Sequence, residues 1–551
     1  MYITEMTSTI KSGKQYKSVL LRQSFREGNK VKNRTIANLT KLKPEEIEAL
    51  KLALKYKGNL ALLGSIAENV EIKEGQSIGA VWTLYEVARK LGIEKALGAD
   101  RQGKLALWQV IARAMDQGSR LSAVRLAQFH AACDVLSLDR GFDENDMYDN
   151  LTWISENQES IENRLFKEQR DKKPELFLYD VTSSYFEGMK NELADWGYNR
   201  DKKSGKMQIV IGLLCDEEGK PVSIEVFTGN TKDTQTFSSQ VKKAAERFGC
   251  EKVTFVGDRG MIKSGQIEEL DSNKFNYITA ITKPQIKTLI KEDVIQLGLF
   301  DEGIVEVSHK DIRYILRRNP VRAEEINSIR QQKRKKIELL VKEKNKYIEE
   351  HSRAKISTSI KNIRQLISKL KVGAWLEVNH TGHNIFLTDD AEALKEESLL
   401  DGCYVLKTDL PLTCASAKVV HDRYKDLAMV ERAFRTSKTG LLEMQPINVR
   451  TEEHTRAHVF VVMLSYLLAR SLEKSWQKFN ITVEQGLSAL STLSCMELRV
   501  TGKASINVIP QPREMSAELL LAANIHLPKA LPSKKCIVVT RHKLQNHRKT
   551  A

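Results

Sequence analysis

The stretch "PELFLYDVTSSYF" at residues 174–186 runs as an apolar strand and ends, on this reading, in Asp180. The segments after it fix the order of elements. "MQIVIGLLCDEEGKPVSIEVF" (207–227) reads as two strands about the turn "DEEG", and "TQTFSSQVKKAAERFG" (234–249) as a capped amphipathic helix closed by Gly249. Next come the strand "KVTFVGD" (252–258), the short helix "SGQIEELDSN" (264–273) and the strand "FNYITAIT" (275–282). Three strands in antiparallel succession, then strands alternating with helices, is the order β-β-β-α-β-α-β of a ribonuclease H-like core. That core is α/β, a mixed five-stranded sheet with flanking helices and acids at its strand ends. One more helix is needed to complete it, and it is not next in the chain.

Residues 285 to about 415 instead read as an α+β insertion domain. It contains the long charged pattern "RAEEINSIRQQKRKKIELLVKEKNKYIEEHSRAKISTSIKNIRQLISKL", expected as a pair of helices. Ile356, Ile360, Ile363, Ile367 and Leu370 recur there at the spacing of a packing seam. The Lys-Arg run at 333–336 reads as a solvated helix face rather than a DNA contact. The missing helix arrives as "HDRYKDLAMVERAFRTSKTGL" (421–441), followed by "TRAHVFVVMLSYLLARSLEKSW", apolar nearly all round and expected to lie buried on the sheet.

The flanks differ in texture. Residues 1–70 predict a basic β-hairpin about "EGN" and a helix started at Thr40, and residues 71–170 a helical, DNA-binding region. Within the latter, "GKLALWQVIARAMDQGSRLSAVRLAQF" has the outline of a helix-turn-helix whose second helix bears Arg120 and Arg125. The core then occupies 171–284 and 416–480, and 481–551 form a C-terminal region with a loose basic tail.

Composition narrows the function. The chain has 551 residues, 41% hydrophobic and 29% charged, which suits two to four globular domains. No apolar run approaches the roughly 18 to 20 residues of a membrane span, and the polar N-terminus has no apolar segment of a secretory signal, so a cytoplasmic protein is expected. Seven cysteines without CxxC spacing argue against a zinc ribbon or a disulfide framework. A net charge of +16 favours a polyanionic partner, with nucleic acid first.

In the inferred fold the strands carrying Asp180 and Asp258 are neighbours at the sheet centre, and Glu431 lies on the helix crossing behind them. Carboxylates crowded together repel unless a hard cation lies between them. Three acids can hold two ions about 3.5 to 4 Å apart, suited to in-line displacement at phosphorus. Singly, each acid has a plainer reading: Asp180 as a turn cap, Asp258 as a salt-bridge partner of Arg259, Glu431 as surface. Taken together, their positions in one fold order favour the metal site.

The blocks "YDVTSSYFEG", "GYNRDKK", "FTGNTKDTQTF", "FVGDRGMI", "DGCYVLKTD" and "YKDLAMVERAFRTSKT" resemble DDE-type insertion-sequence transposases of the IS-four superfamily. The resemblance covers 174–285 and 400–470. With "FREGNKVKNRTIANLT" near the start, it is nearest the subgroup with a VERxFRxxK catalytic helix. It implies Asp180, Asp258 and Glu431 as catalytic, metal-binding residues for two Mg2+, with Mn2+ able to substitute. It also implies DNA as partner, both terminal inverted repeats and target, bound by a homodimer in a synaptic complex associated with a prokaryotic nucleoid. The family signature places Tyr424 and Lys438 at their intervals from Glu431 as DNA-binding residues, with Lys438 expected on the face of Glu431 to hold a DNA phosphate, but Leu427 stands where the signature has Arg. Arg423, Arg432 or Arg435 are left to supply that charge, and Arg259 is left between steadying its neighbouring acid and reaching DNA. The implied reaction frees a 3′-hydroxyl by strand hydrolysis and then joins it to target DNA. A ribonuclease H-like endonuclease or resolvase that cuts without joining, or an inactive DNA-binding relative, are the alternatives. Neither a P-loop nor a GxSxG turn in a strand-to-helix setting occurs.

Overall fold

In a computed structural model of the chain, residues 1–9, 15–58, 70–168, 174–201, 203, 205–351, 353–444, 447–500, 506–534 and 536–540 are described. The last eleven residues of the expected basic tail, 541–551, lie outside them. The chain divides into two compact units, one of Met1–Trp82, Phe129–Asp139 and Ser488–Lys535, the other of Thr83–Gln128, Arg140–Leu487 and Cys536–Ala551.

In the first unit, β1 (Tyr2–Thr9), β2 (Gln15–Glu27) and β3 (Lys30–Asn38) form an antiparallel sheet. The expected hairpin is its second half, turning at Gly28, whose φ of 63° suits a residue without a side chain. The helix after it, Pro44–Lys55, begins later than expected. Thr40 is occupied elsewhere, its Oγ1 accepting from Val19 N at 3.0 Å, and Pro44 opens the helix while Lys43 N donates to the Glu46 carboxylate at 2.8 Å. A strand that the sequence did not suggest, β4 (Val70–Ser77), pairs with Ser494–Val500 from the far end of the chain. The short strands Ile506–Val508 and Ala530–Leu531 complete that four-stranded sheet.

The second unit holds the sheet with the candidate acids. Its strands are β5 (Leu176–Tyr185), β6 (Gln208–Cys215), β7 (Pro221–Phe227), β8 (Thr254–Gly257) and β9 (Asn276–Ala280). They lie in the order β9-β8-β5-β6-β7, with β5, β8 and β9 mutually parallel and β6 antiparallel to both its neighbours, β5 and β7. The sheet does not stop at five strands. β10 (Val305–His309), β11 (Ile312–Arg318) and β14 (Cys403–Thr408), all from the segment expected as an insertion, continue it antiparallel beyond β9 to make eight strands. A parallel strand left at an edge would expose unpaired N–H and C=O groups, and β14 covers them.

The same segment has a core of its own. Helix Ile356–Leu370 presents Ile360, Ile363 and Ile367 to Ile337, Val341 and Ile348 of helix Pro320–Glu350. Trp375 and the hairpin of β12 (Leu376–Thr381) and β13 (Asn384–Asp389) close that core. Arg334 of the basic run pairs with Asp389 at 2.8 Å, so that residue serves the hairpin instead of standing free in solvent.

Both faces of the main sheet are covered, as the wholly buried β6 requires. On one face Phe177, Tyr179 and Val181 of β5 pack with Phe237 and Val241 of helix Asp233–Lys242. Tyr179 crosses so closely over β6 that a Cβ at Gly212 would collide with its hydroxyl. Side chains alternate along a strand, so Leu178, Asp180 and Thr182 face the opposite way. On that side run helix Leu427–Thr439, packed on β5, and the almost fully buried helix Glu452–Trp476, packed on β7.

Candidate active site

Asp180 does not end its strand. β5 continues five residues past it to Tyr185 because β6 keeps pairing with it, out to Tyr185 opposite Gln208. The strand that ends there is β8. Its last pair is Tyr179 with Gly257, which sets Asp180 and Asp258 side by side where the parallel partner stops. The glycines flanking Asp258 act otherwise than a tight left-handed turn would demand, since neither has a positive φ. At Gly257 the absent Cβ makes room for Ile262, 3.1 Å from where it would stand. The chain turns on Met261 N donating to Asp258 O at 3.0 Å.

Burial pushes the Asp180 carboxyl up to about 7, and the negative charges of Asp258 and Glu431 push it the same way. The amide of Val181 and the charge of Arg200 oppose them. The three acids thus share one electrostatic field, Asp180 half-buried and the other two exposed. Among the described residues, however, no three His, Cys, Asp or Glu side chains are drawn close enough to hold one metal ion. The donor set suits a hard divalent cation in chemistry, being all carboxylate oxygen, and one of its members is protonated readily without a cation.

Glu431 stands on the outer side of a helix that is broken, where one continuous helix was expected. Ala417–Lys425 ends at Asp426, and Leu427, at the signature Arg position, opens Leu427–Thr439. Tyr424, in the last turn of the first piece, donates its hydroxyl to Asp258 Oδ1 at 3.4 Å, and burial raises its pKa. Lys438, seven residues after Glu431, does not share its exposure: it is 8% exposed and points to β5. Its Nζ donates to Thr182 Oγ1 at 2.9 Å and to Asp201 Oδ1 at 2.7 Å. Arg432 pairs with Glu473 at 2.6 Å, Arg423 with Asp426 at 3.6 Å, and Arg435 is exposed. Arg259 donates its backbone amide to Asp258 Oδ1 at 2.7 Å, but among the described residues the two side chains form no ion pair.

Two further residues, Arg200 and Asp201 of "GYNRDKK", acquire partners beside the acids. Arg200 is held by Asp233 at 2.6 Å, and Asp201 by Lys438. The blocks "GYNRDKK" and "TKDTQTF" carried the signal, but sequence spacing does not say that loop and helix meet. The helix-turn-helix reading of residues 103–129 meets a different fate. Arg120 is 5% exposed and donates to Gln109, so it is turned into the protein and is not presented on a surface helix that could lie in a groove of a duplex.

Among the described residues no helix is long and apolar enough to cross a membrane. No curated protein sequence matches the chain. Among solved structures, a piggyBac transposase synaptic complex with hairpin DNA aligns at 7% identity and a TM-score of 0.33, covering 81% of this chain and 75% of that one. The family described as IS1634 family transposase, N-terminal domain, matches residues 3–61. The family described as Transposase DDE domain matches residues 171–468, more than half of the chain and the whole span from before Asp180 to beyond Glu431, and the protein belongs to that DDE transposase family.

Proposed function

We propose that this DNA transposase cuts and joins DNA at Asp180, Asp258 and Glu431, in a ribonuclease H-like core built from residues 171–284 and 416–480. One observation carries the reading: the parallel register of β5 and β8 sets Asp180 beside Asp258 on the face crossed by the helix of Glu431. The upward push of the Asp258 and Glu431 charges on the Asp180 carboxyl supports it further.

In this reading the three carboxylates hold Mg2+, or Mn2+ in its place. When bound, such ions lower the pKa of water and stabilise the leaving oxygen of an in-line displacement. The chain's own residues do the rest. Tyr424 orients Asp258 through its hydroxyl. Lys438, tied to Asp201 and Thr182, fixes the helix of Glu431 against β5 and lies ready for a phosphate only if that pair opens. Arg259, Arg432 and Arg435 offer exposed cations to the DNA backbone in place of the signature Arg that Leu427 replaces. Water first breaks a phosphodiester to leave a 3′-hydroxyl. That hydroxyl then attacks a target phosphodiester, forming one P–O bond as another breaks. The substrates are the terminal inverted repeats and target DNA, engaged by a homodimer at the nucleoid in the cytoplasm.

The test uses full-length protein, Mg2+ and a duplex carrying the repeats that flank its reading frame. Wild type nicks the end and joins a pre-cleaved end to target, whereas Asp258→Ala binds but does neither. Nicking that survives Asp258→Ala removes the site assignment, and cutting without joining removes strand transfer.

A further inference from the structure

Two arginines lie inside the second unit without a carboxylate bound to them. Arg113 and Arg120 are each 5% exposed, and among the described residues neither forms an ion pair. Arg113 donates to the carbonyls of Gln117 at 2.6 Å and Gly118 at 2.9 Å, and its buried Nε has no hydrogen-bond partner. Arg120 lies 3.5 Å from Nδ1 of His458, itself 8% exposed. Burial brings Arg113 down to about 10, against the opposing charges of Asp116 and Glu443. Burial and the charge of Arg113 bring Arg120 down to about 9, and His458 is lowered well below its ordinary value, chiefly by burial. Near neutral pH both guanidinium groups therefore keep their charge. Buried charge left uncompensated is unfavourable, and an anion is what relieves it.

The three residues line one cavity of about 460 Å³, large enough for a nucleotide-sized group. His454 and the exposed Arg450 extend it. Two helix N-termini also border it: Ser119, just ahead of helix Arg120–Phe129, and Thr451, which caps the 25-residue helix Glu452–Trp476 by accepting from His454 N at 3.2 Å. Both present positive dipole ends to the cavity. Among the described residues its one acidic lining residue, Glu443, is exposed. The cavity belongs to a different place from the acids. The helix of Glu431 runs on to Thr439, about 12 Å at 1.5 Å per residue, before Glu443 and Met444 reach the cavity.

We propose that this cavity binds a phosphate group of the DNA strand, a second anchoring site apart from the three acids, an inference that rests on the proposed DNA-cleaving role of the chain. The experiment uses full-length protein and two probes: inorganic phosphate, read by thermal shift, and a labelled element-end duplex, read by fluorescence polarisation across salt concentrations. The variants are Arg120→Gln and, because a buried change can prevent folding, the edge double variant Arg450→Ala with His454→Ala. Phosphate is expected to raise the melting temperature of wild type and of Asp258→Ala, but not of the cavity variants. Duplex affinity is expected to fall at least about tenfold in the cavity variants, with a salt slope shallower by about one. Unchanged duplex affinity and slope in a folded cavity variant overturn the proposal, even if the phosphate response is lost. Because Asp258→Ala leaves the cavity intact, failure of the acid assignment shows separately, as nicking that survives that change.

Discussion

Lys438 and Asp201 form an ion pair at 2.7 Å, with only 10% of the lysine side chain and 17% of the aspartate exposed. It joins the helix of Glu431 to the loop after β5, beside the face of the strand that carries Asp180. Such a pair stabilises little compared with a packed apolar contact, but removing one partner leaves the other uncompensated.

Lys438→Met is therefore expected to destabilise the second unit by about 2 to 3 kcal/mol. Asp201→Asn combined with it should restore part of the loss. A urea-unfolding double-mutant cycle checks this, and additive single effects would show that the pair is not coupled.

The carboxyl of Asp180 gives a pH prediction. Its ordinary value is 3.8 and the folded value about 7, raised by burial and then by Asp258 and Glu431. The folded, metal-free protein holds a proton here that the unfolded chain has lost between those two values. Its stability should consequently fall as pH rises through that window. A divalent cation needs the carboxylate, so Mn2+ affinity should rise up to about tenfold per pH unit below 7 and level off above, with proton release. Calorimetry at pH 6, 7 and 8 reads both effects. Asp180→Asn should flatten the pH dependence, and chelation with EDTA should return the protein to its metal-free stability.

The legible part of this structure is the part that sequence order encodes. Asp180 and Asp258 could be placed together because strand order decides which strands neighbour, and the alternation of strand and helix was plain. Where β5 ends was not legible: a strand lasts as long as its partner, and β6 pairs with residues that look like a turn in "DVTSS". The three added strands were missed because an edge is covered by whatever chain returns to it, and β14 returns to β9 from more than 120 residues away. Arg200 and Asp201 lie 33 and 237 residues from the side chains that hold them. Arg120 misled for a related reason. A charged residue after a glycine turn reads as surface until the cavity behind it is known.

Tyr424 tests how firmly Asp258 must be held. Its hydrogen bond of 3.4 Å is long, so Tyr424→Phe should slow nicking by a factor of about 3 to 10. Glu431→Gln, by contrast, alters a proposed ligand and should reduce nicking by more than about 100-fold. Parallel rate measurements at saturating Mg2+ distinguish the two, and equal losses would place Tyr424 in direct contact with the reacting groups.

The core of the 320–390 segment is distinct from that of the main sheet. Ile363 is fully buried among Ile337, Val341, Trp375 and their neighbours, none of which belongs to the strands carrying Asp180 and Asp258. Truncating it leaves a cavity with little chance to collapse, because the hairpin packs into the same core and the Arg334–Asp389 pair ties it to the longer helix. Ile363→Ala should cost about 2 to 4 kcal/mol. If this core melts as its own cooperative unit, calorimetry should show one transition shifted down by several degrees and the other unmoved, with Mn2+ affinity at the acids unchanged. A single transition shifted as a whole would mean that β10, β11 and β14 bind this core to the main sheet tightly enough for the two to unfold together.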